Sequence, residues 1–172
     1  VWNFGSKIAE KANKSFNLPL IYPPGNPSRM VYIKGDGTIG FLDAADPGTR
    51  IDPNAKLDNF SVPGTTVWAS RYVKTLGGDP NKDAFAVVLG GKKTLIQSVK
   101  GANPSLVLFW VGSNDVLGMV TSQDINDHTK LADFKKDYKA VLNELKNTGA
   151  KIVAANIPDI TTVAYLIDPQ NP

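Results

Sequence analysis

The chain has 172 residues, of which 42% are hydrophobic and 20% charged, the balance of a globular domain able to bury roughly 68–70% of its unfolded surface. Its 19 Lys and Arg against 16 Asp and Glu leave a net charge of +3, scattered through expected helices with no basic run, which argues against nucleic acid as a partner. The absence of cysteine excludes disulfides, thiolate metal sites and cysteine nucleophiles, and no apolar run approaches the ~20 residues that span a bilayer.

The opening residues Val1-Trp2-Asn3-Phe4 carry neither an initiator Met nor a signal peptide, so the chain is expected to begin in mid-protein. One domain over residues 1–172 is the expectation. Residues 3–17 place Phe4, Ile8, Ala9, Ala12 and Phe16 at helical spacing, which predicts an opening helix with one inward stripe. Pro19, Pro23, Pro24 and Pro27 then forbid regular structure. Two β-prone segments, Val31-Tyr32-Ile33 and Thr38-Ile39-Gly40-Phe41, flank Gly35-Asp36-Gly37, a hairpin signature in which Asp36 serves the turn. With the Asp, Pro, Gly and Asn of residues 43–56, this makes 19–56 a loop and hairpin excursion from the core fold.

A short strand is expected at Asp58-Asn59-Phe60-Ser61-Val62, then a turn, Pro63-Gly64-Thr65-Thr66, whose hydroxyls suit a helix cap. Val67, Ala69, Tyr72, Val73 and Leu76 mark that helix, ended by Gly77-Gly78. Residues 84–100 read as helical with an interruption at Gly90-Gly91. The run Ser105 to Val111 reads as a strand buried on both faces, stopped by Gly112. Residues 116–128 read as a polar linker. Leu131, Phe134, Tyr138, Val141, Leu142 and Leu145 define a helix over 131–147, ended near Gly149, and Lys151 to Asn156 supplies another strand. Strands alternating with helices predict an α/β fold with a parallel sheet and right-handed crossovers.

Three expected strand ends therefore share one edge: Val62-Pro63-Gly64, Gly112-Ser113-Asn114-Asp115 and Asn156-Ile157-Pro158-Asp159. Gly64 can offer an unobstructed backbone N–H and Asn114 a side-chain NH₂, two of the donors that an oxyanion hole needs. Each has a plainer reading beside it, Gly64 as a turn glycine and Asn114 as a cap on neighbouring backbone.

The blocks Asn59-Phe60-Ser61-Val62-Pro63-Gly64 and Gly112-Ser113-Asn114-Asp115, followed by Val153-Ala154-Ala155-Asn156-Ile157-Pro158-Asp159, resemble in type and order those of the SGNH hydrolases, the GDSL-type lipases and esterases. The resemblance implies a flavodoxin-like three-layer sandwich around a parallel sheet, incomplete in this chain and carrying the inserted hairpin. It implies hydrolysis of a small-molecule or lipid ester by acyl transfer, with Gly64 and Asn114 as oxyanion donors and no cofactor. It further implies a secreted or envelope location. The family's Gly-Asp-Ser nucleophile block and Asp-x-x-His block do not occur in the 172 residues. The chain is accordingly expected to be an internal portion of an esterase, inactive alone, whose partners include the flanking segments of the same protein. The implied serine strand would lie between the strands ending at Val62 and Val111, leaving a gap in the sheet. The alternative is a non-catalytic binding module on the same scaffold.

Other candidates carry less. Asn156 and Asp159 are placed to line a substrate pocket or, equally, to cap their loop. Asp115 suits a structural partner of neighbouring backbone N–H groups better than a catalytic acid. His128, the single histidine, invites a triad with Ser61 or Ser113, but its place in a polar stretch suits a surface residue. No metal site is expected, since one His and no Cys give no ligand set and the carboxylates lack calcium-loop spacing. Tyr22, Tyr32 and Phe41 could cover an acyl or carbohydrate group or pack the hairpin.

Overall fold

A computed structural model describes residues 4–22, 30–33, 39–42, 49–78, 83–121 and 124–159. The chain forms two compact units, Val1–Pro63 with Val73–Ala102, and Gly64–Tyr72 with Asn103–Pro172.

In the first unit the opening helix α1 spans Phe4–Lys11, shorter than the apolar spacing predicts. Asn13 takes a left-handed conformation at φ 53°, and Lys14 N–H bonds back to Ala9 O at 2.8 Å, an asparagine version of the left-handed helix stop. The expected inward stripe is not buried: Phe4 is 64% and Ile8 45% exposed. Strands β1, Met30–Ile33, and β2, Ile39–Leu42, pair antiparallel with Met30 opposite Leu42. Their connecting turn with Asp36, and the side chains of Tyr32 and Phe41, lie outside the described residues. Ile21 and Arg50 form an antiparallel bridge, with Tyr22 N–H on Thr49 O and Ile51 N–H on Leu20 O, both 2.9 Å.

The strand expected at residues 58–62 does not form. Its donors are used elsewhere: Asp58 and Asn59 N–H groups go to Asn17 O at 3.0 and 3.3 Å, and Ser61 N–H goes to Asn59 Oδ1 at 2.8 Å. Local Asx geometry has outcompeted a ladder.

Two helices complete this unit. Asp83 caps α3, Ala84–Leu89, and left-handed Gly90 ends it at φ 76°. A reciprocal capping box of Thr94 and Gln97 starts α4, Leu95–Gly101, satisfying two otherwise orphaned donors. Phe85, Val87, Val88, Leu95 and Ile96 are buried. The interruption at Gly90-Gly91 thus falls where the sequence places it.

The second unit opens with α2, Val67–Tyr72. This helix stops four residues short of the expected Leu76. Asp83 captures the Thr75 hydroxyl and Leu76 N–H, so that segment is diverted into a turn. Strand β3, Leu106–Phe109, pairs in parallel with β4, Lys151–Ala154, in the register Leu106↔Lys151 to Phe109↔Ala154. β3 is buried on one face only, correcting the expectation of two. Val107 and Phe109 are buried while Leu106, Leu108 and Trp110 are exposed.

Between the strands lie α5, Ser113–Thr121, and α6, Leu131–Lys146. Much of the supposed linker at 116–128 is therefore helix. Its Val116, Leu117, Met119 and Val120 continue a helix already begun at Ser113, a start hidden by reading Gly112 to Asp115 as a strand-end loop. On α6, Val141 and Leu145 are fully buried, and Phe134 and Tyr138 stack at 5.4 Å, with Tyr138 also 5.4 Å from the Phe109 ring. Gly149 ends the helix in the left-handed region at φ 77°.

Candidate active site

Gly64 and Gly112 to Asp115 lie in the second unit, whereas Asn59 to Pro63 belong to the first. Thr66 caps α2 as expected: its Oγ1 accepts from Ala69 N–H at 3.1 Å, and its carbonyl accepts from Ser70 N–H at 3.0 Å. Gly64 precedes this cap at φ +77°, with nothing within 4 Å of where a Cβ would stand. The left-handed backbone, rather than crowding, favours glycine there.

Gly112 is constrained in both ways. Its φ is +134°, and a Cβ would lie 2.9 Å from Ile157 Cδ1 and Cγ1 and 3.3 Å from Phe134 Cε2. This glycine lets the chain leave β3 and enter α5 at once, with Asp115 N–H closing a 3.0 Å bond to Gly112 O. Asn114 and Asp115 consequently sit in the first turn of α5.

From there both side chains reach the Gly64 turn. Asn114 Nδ2 donates to Thr65 O at 3.0 Å, across 49 residues of sequence. Asp115 Oδ2 accepts the Val67 N–H at 2.8 Å, across 48. Val67 is the first residue of α2, so a carboxylate receives one of the helix's otherwise orphaned donors and faces the positive end of its dipole. An amide nitrogen carries two hydrogens. Thr65 takes one of those on Asn114, and the other is available to a further acceptor.

Asp115 is 2% exposed. Its Oδ1 is buried with no hydrogen-bond partner of good geometry, although the Thr129 side chain lies close enough to help hold the charge. Burial pushes its carboxyl above the ordinary carboxylate range, the nearby Asp137 adding to the rise, and the bond from Val67 offsets only part of it. Asp115 is expected to serve neighbouring backbone N–H groups, but the N–H that its side chain accepts is the distant one of Val67.

Alongside runs an ion pair that the sequence reading missed. Arg71 of α2 donates to Asp137 of α6 at 2.6 Å, with Glu144 at 3.4 Å, and Arg71 also donates to Tyr72 Oη at 2.7 Å. A signal was present: Asp137 shares the helical stripe of Val141 and Leu145, and a charge on an apolar stripe calls for a buried partner. Next to this pair an open groove of about 550 Å³ is lined by Thr66, Trp68, Tyr72, His128, Lys130 and Asp133, among others. Trp68 and Tyr72, each about half exposed, lie 5.5 Å apart.

The remaining candidates, Asn156, Asp159, Ser61 and His128, are exposed. Ala155 N–H still bonds to Phe109 O at 3.0 Å, keeping the ends of β3 and β4 adjacent, but Asn156 and Asp159 beyond it are exposed. Ser61 is exposed in the first unit. His128 is exposed, its Nδ1 2.8 Å from Ile125 O, a contact that places a proton on Nδ1. Among the described residues, no group of three or more His, Asp or Glu could hold a metal ion, and no helix is long and apolar enough to cross a membrane.

The family model for GDSL-like lipase/acylhydrolase matches residues 8–171. The chain belongs to this family. Membership in the GDSL-like lipases and acylhydrolases agrees with the helices and the parallel β3–β4 pair of this chain. Comparison with curated proteins gave no match, and neither did comparison with solved structures.

Proposed function

We propose that the protein carrying this chain is a serine esterase or lipase that cleaves carboxylic esters by acyl transfer, and that Gly64 N–H and Asn114 Nδ2 stabilise the oxyanion. The observation that carries this reading is the Asn114 to Thr65 bond. It fixes the amide beside the turn that holds Gly64, with one hydrogen still to give. When a serine Oγ adds to the ester carbonyl, the carbonyl oxygen gains the negative charge that those donors receive. A histidine takes the serine proton and returns it to the departing alcohol, and water then releases the acid by the same route.

The serine block and the Asp-x-x-His block belong, in this proposal, to segments of the same protein outside the 172 residues. Those segments complete a flavodoxin-like three-layer sandwich, and the exposed face of Leu106, Leu108 and Trp110 with Val153 is a surface that they would cover. The 172 residues form one partial hydrolase domain within it. Asn156 and Asp159, exposed past β4, are assigned to the outer wall of the substrate site. The protein is secreted or held in the cell envelope.

The test is hydrolysis of p-nitrophenyl acetate and butyrate by the full-length protein and by residues 1–172 alone. The full-length protein turns over and reacts stoichiometrically with a serine-directed phosphonate, whereas the shorter chain does neither. Absence of both from the full-length protein would instead favour a binding module, the reading to which the missing Gly-Asp-Ser and Asp-x-x-His blocks otherwise point.

A further inference from the structure

We infer that Asp115 is a positioning residue for the oxyanion donors, holding the Gly64 turn in register with Asn114 through its bond to Val67 N–H. The inference rests on the function proposed above and deepens it. Two consecutive side chains of α5 grip the same short turn, Asn114 at the carbonyl of Thr65 and Asp115 at the amide of Val67. One is a donor and the other an acceptor, so together they fix the turn on either side of Thr66.

The surroundings make this grip stiff. Asp115 is 2% and Val67 0% exposed, and Thr65 is buried at 5%, so water has little access to replace either bond. Asp115 is anchored by its own backbone too: its N–H goes to Gly112 O at 3.0 Å, and its carbonyl accepts Thr129 N–H at 2.8 Å. Downstream, the Arg71 to Asp137 pair at 2.6 Å ties the body of α2 to α6. α2 is therefore held at both ends, and its first residue lies three positions from Gly64. Burial raises the Asp115 carboxyl above the ordinary carboxylate range, so ionising it in the folded chain is disfavoured.

A donor that serves only the transition state affects kcat and leaves substrate binding alone. Displacing such a donor by an ångström costs up to about 10²-fold, and deleting one costs about 10²–10³-fold. For Asp115→Ala in the full-length protein, kcat per phosphonate-titrated site on p-nitrophenyl butyrate falls about 10- to 100-fold, with KM held within about threefold. Asp115→Asn, which keeps an oxygen acceptor for Val67 N–H, recovers to within about fivefold of the parent enzyme. Val67→Pro removes the donor from the other side at a helix position that tolerates proline and reproduces the fall. Combining it with Asp115→Ala adds less than about threefold, because both delete one bond.

A merely structural Asp115 would lower the titratable fraction and the melting temperature while leaving kcat per titrated site unchanged. That outcome for Asp115→Ala, with Asn114→Ala still strongly impaired, overturns the inference and leaves the esterase reading standing. Unchanged turnover in both variants overturns the oxyanion reading itself. If Asp115→Ala does not fold, Val67→Pro decides: unimpaired kcat per site overturns the inference, and a fall confined to kcat that Asp115→Asn does not share supports it.

Discussion

Replacing Asn114 by Ala is the most direct probe of the site, because two separable quantities follow from its geometry. The side chain makes one partly buried hydrogen bond, 3.0 Å to Thr65 O. Losing a bond of that kind costs about 1 kcal/mol of stability, or roughly 2–4 °C in melting temperature for a chain of this size. The catalytic loss is larger, since removing one oxyanion donor lowers kcat by about 10²–10³-fold, equivalent to ~2.7–4 kcal/mol. A variant that remains folded at 25 °C thus loses most of its turnover while melting only slightly earlier. The assay is steady-state hydrolysis of p-nitrophenyl butyrate by the full-length protein, with kcat and KM separated and thermal unfolding followed in parallel. Asn114→Asp is the matched control. It preserves volume but removes the donor and aims a carboxylate at both Thr65 O and the developing oxyanion, so it recovers nothing. Turnover within twofold of the parent in Asn114→Ala would refute the assignment, whatever the melting temperature did.

Two further predictions concern the scaffold. Gly112→Ala forces a Cβ to 2.9 Å from Ile157 and places alanine at φ +134°, so urea unfolding should show a loss of roughly 2–5 kcal/mol from backbone strain and overpacking together; Ile157→Ala in the same chain relieves only the overpacking share. The two buried aspartates have opposite acid behaviour. Burial raises the Asp83 carboxyl, but the Thr75 hydroxyl and the backbone N–H groups of Leu76, Ala86 and Phe85 outweigh it and hold it below the ordinary range, whereas burial lifts Asp115 above it. Asp83 therefore contributes stability that is present above about pH 3.9, the unfolded value, and is lost as pH falls through its lower folded pKa. The contribution of Asp115 is complete below about pH 3.9 and declines as pH rises through its higher folded pKa. Denaturant unfolding between pH 2.5 and 7, spanning roughly those values, should find Asp83→Asn more destabilising toward neutral pH and Asp115→Asn less so. Parallel trends for the two variants would contradict the reasoning.

What the sequence disclosed tracks how local the deciding interaction is. The α6 stripe of Val141 and Leu145, the glycine break between α3 and α4, and the Thr66 cap depend on residues within one or two turns, and all are legible. The segment at 58–62 misled because its strand-like composition says nothing of Asn17, whose carbonyl takes two of its N–H groups. The end of α2 misled for the same reason, since Asp83 lies well downstream of Thr75 and Leu76. At the site, Gly64 and Asn114 were singled out through the order of their blocks. The bond from Asn114 to Thr65 O was not legible, because nothing in Gly-Ser-Asn-Asp says which carbonyl an amide will reach. Asp115 could be read as a partner of backbone N–H groups, but not of Val67.

The pairing of Asn114 with Asp115 also explains why a donor and a charge stand next to each other at the start of α5. Successive residues in a helix's first turn point about 100° apart, so one turn can present an amide and a carboxylate to different parts of a short loop. The donor at Asn114 meets a carbonyl, and the acceptor at Asp115 meets the first N–H of α2; an aspartate at 114 would set a carboxylate against the carbonyl of Thr65. Gly112 makes the arrangement possible, because a side chain there would strike Ile157 and push the first turn of α5 away from β3. Strand, glycine, amide and carboxylate thus form one device. It starts from the parallel β3–β4 pair and ends at Thr65 O and Val67 N–H, on either side of Thr66.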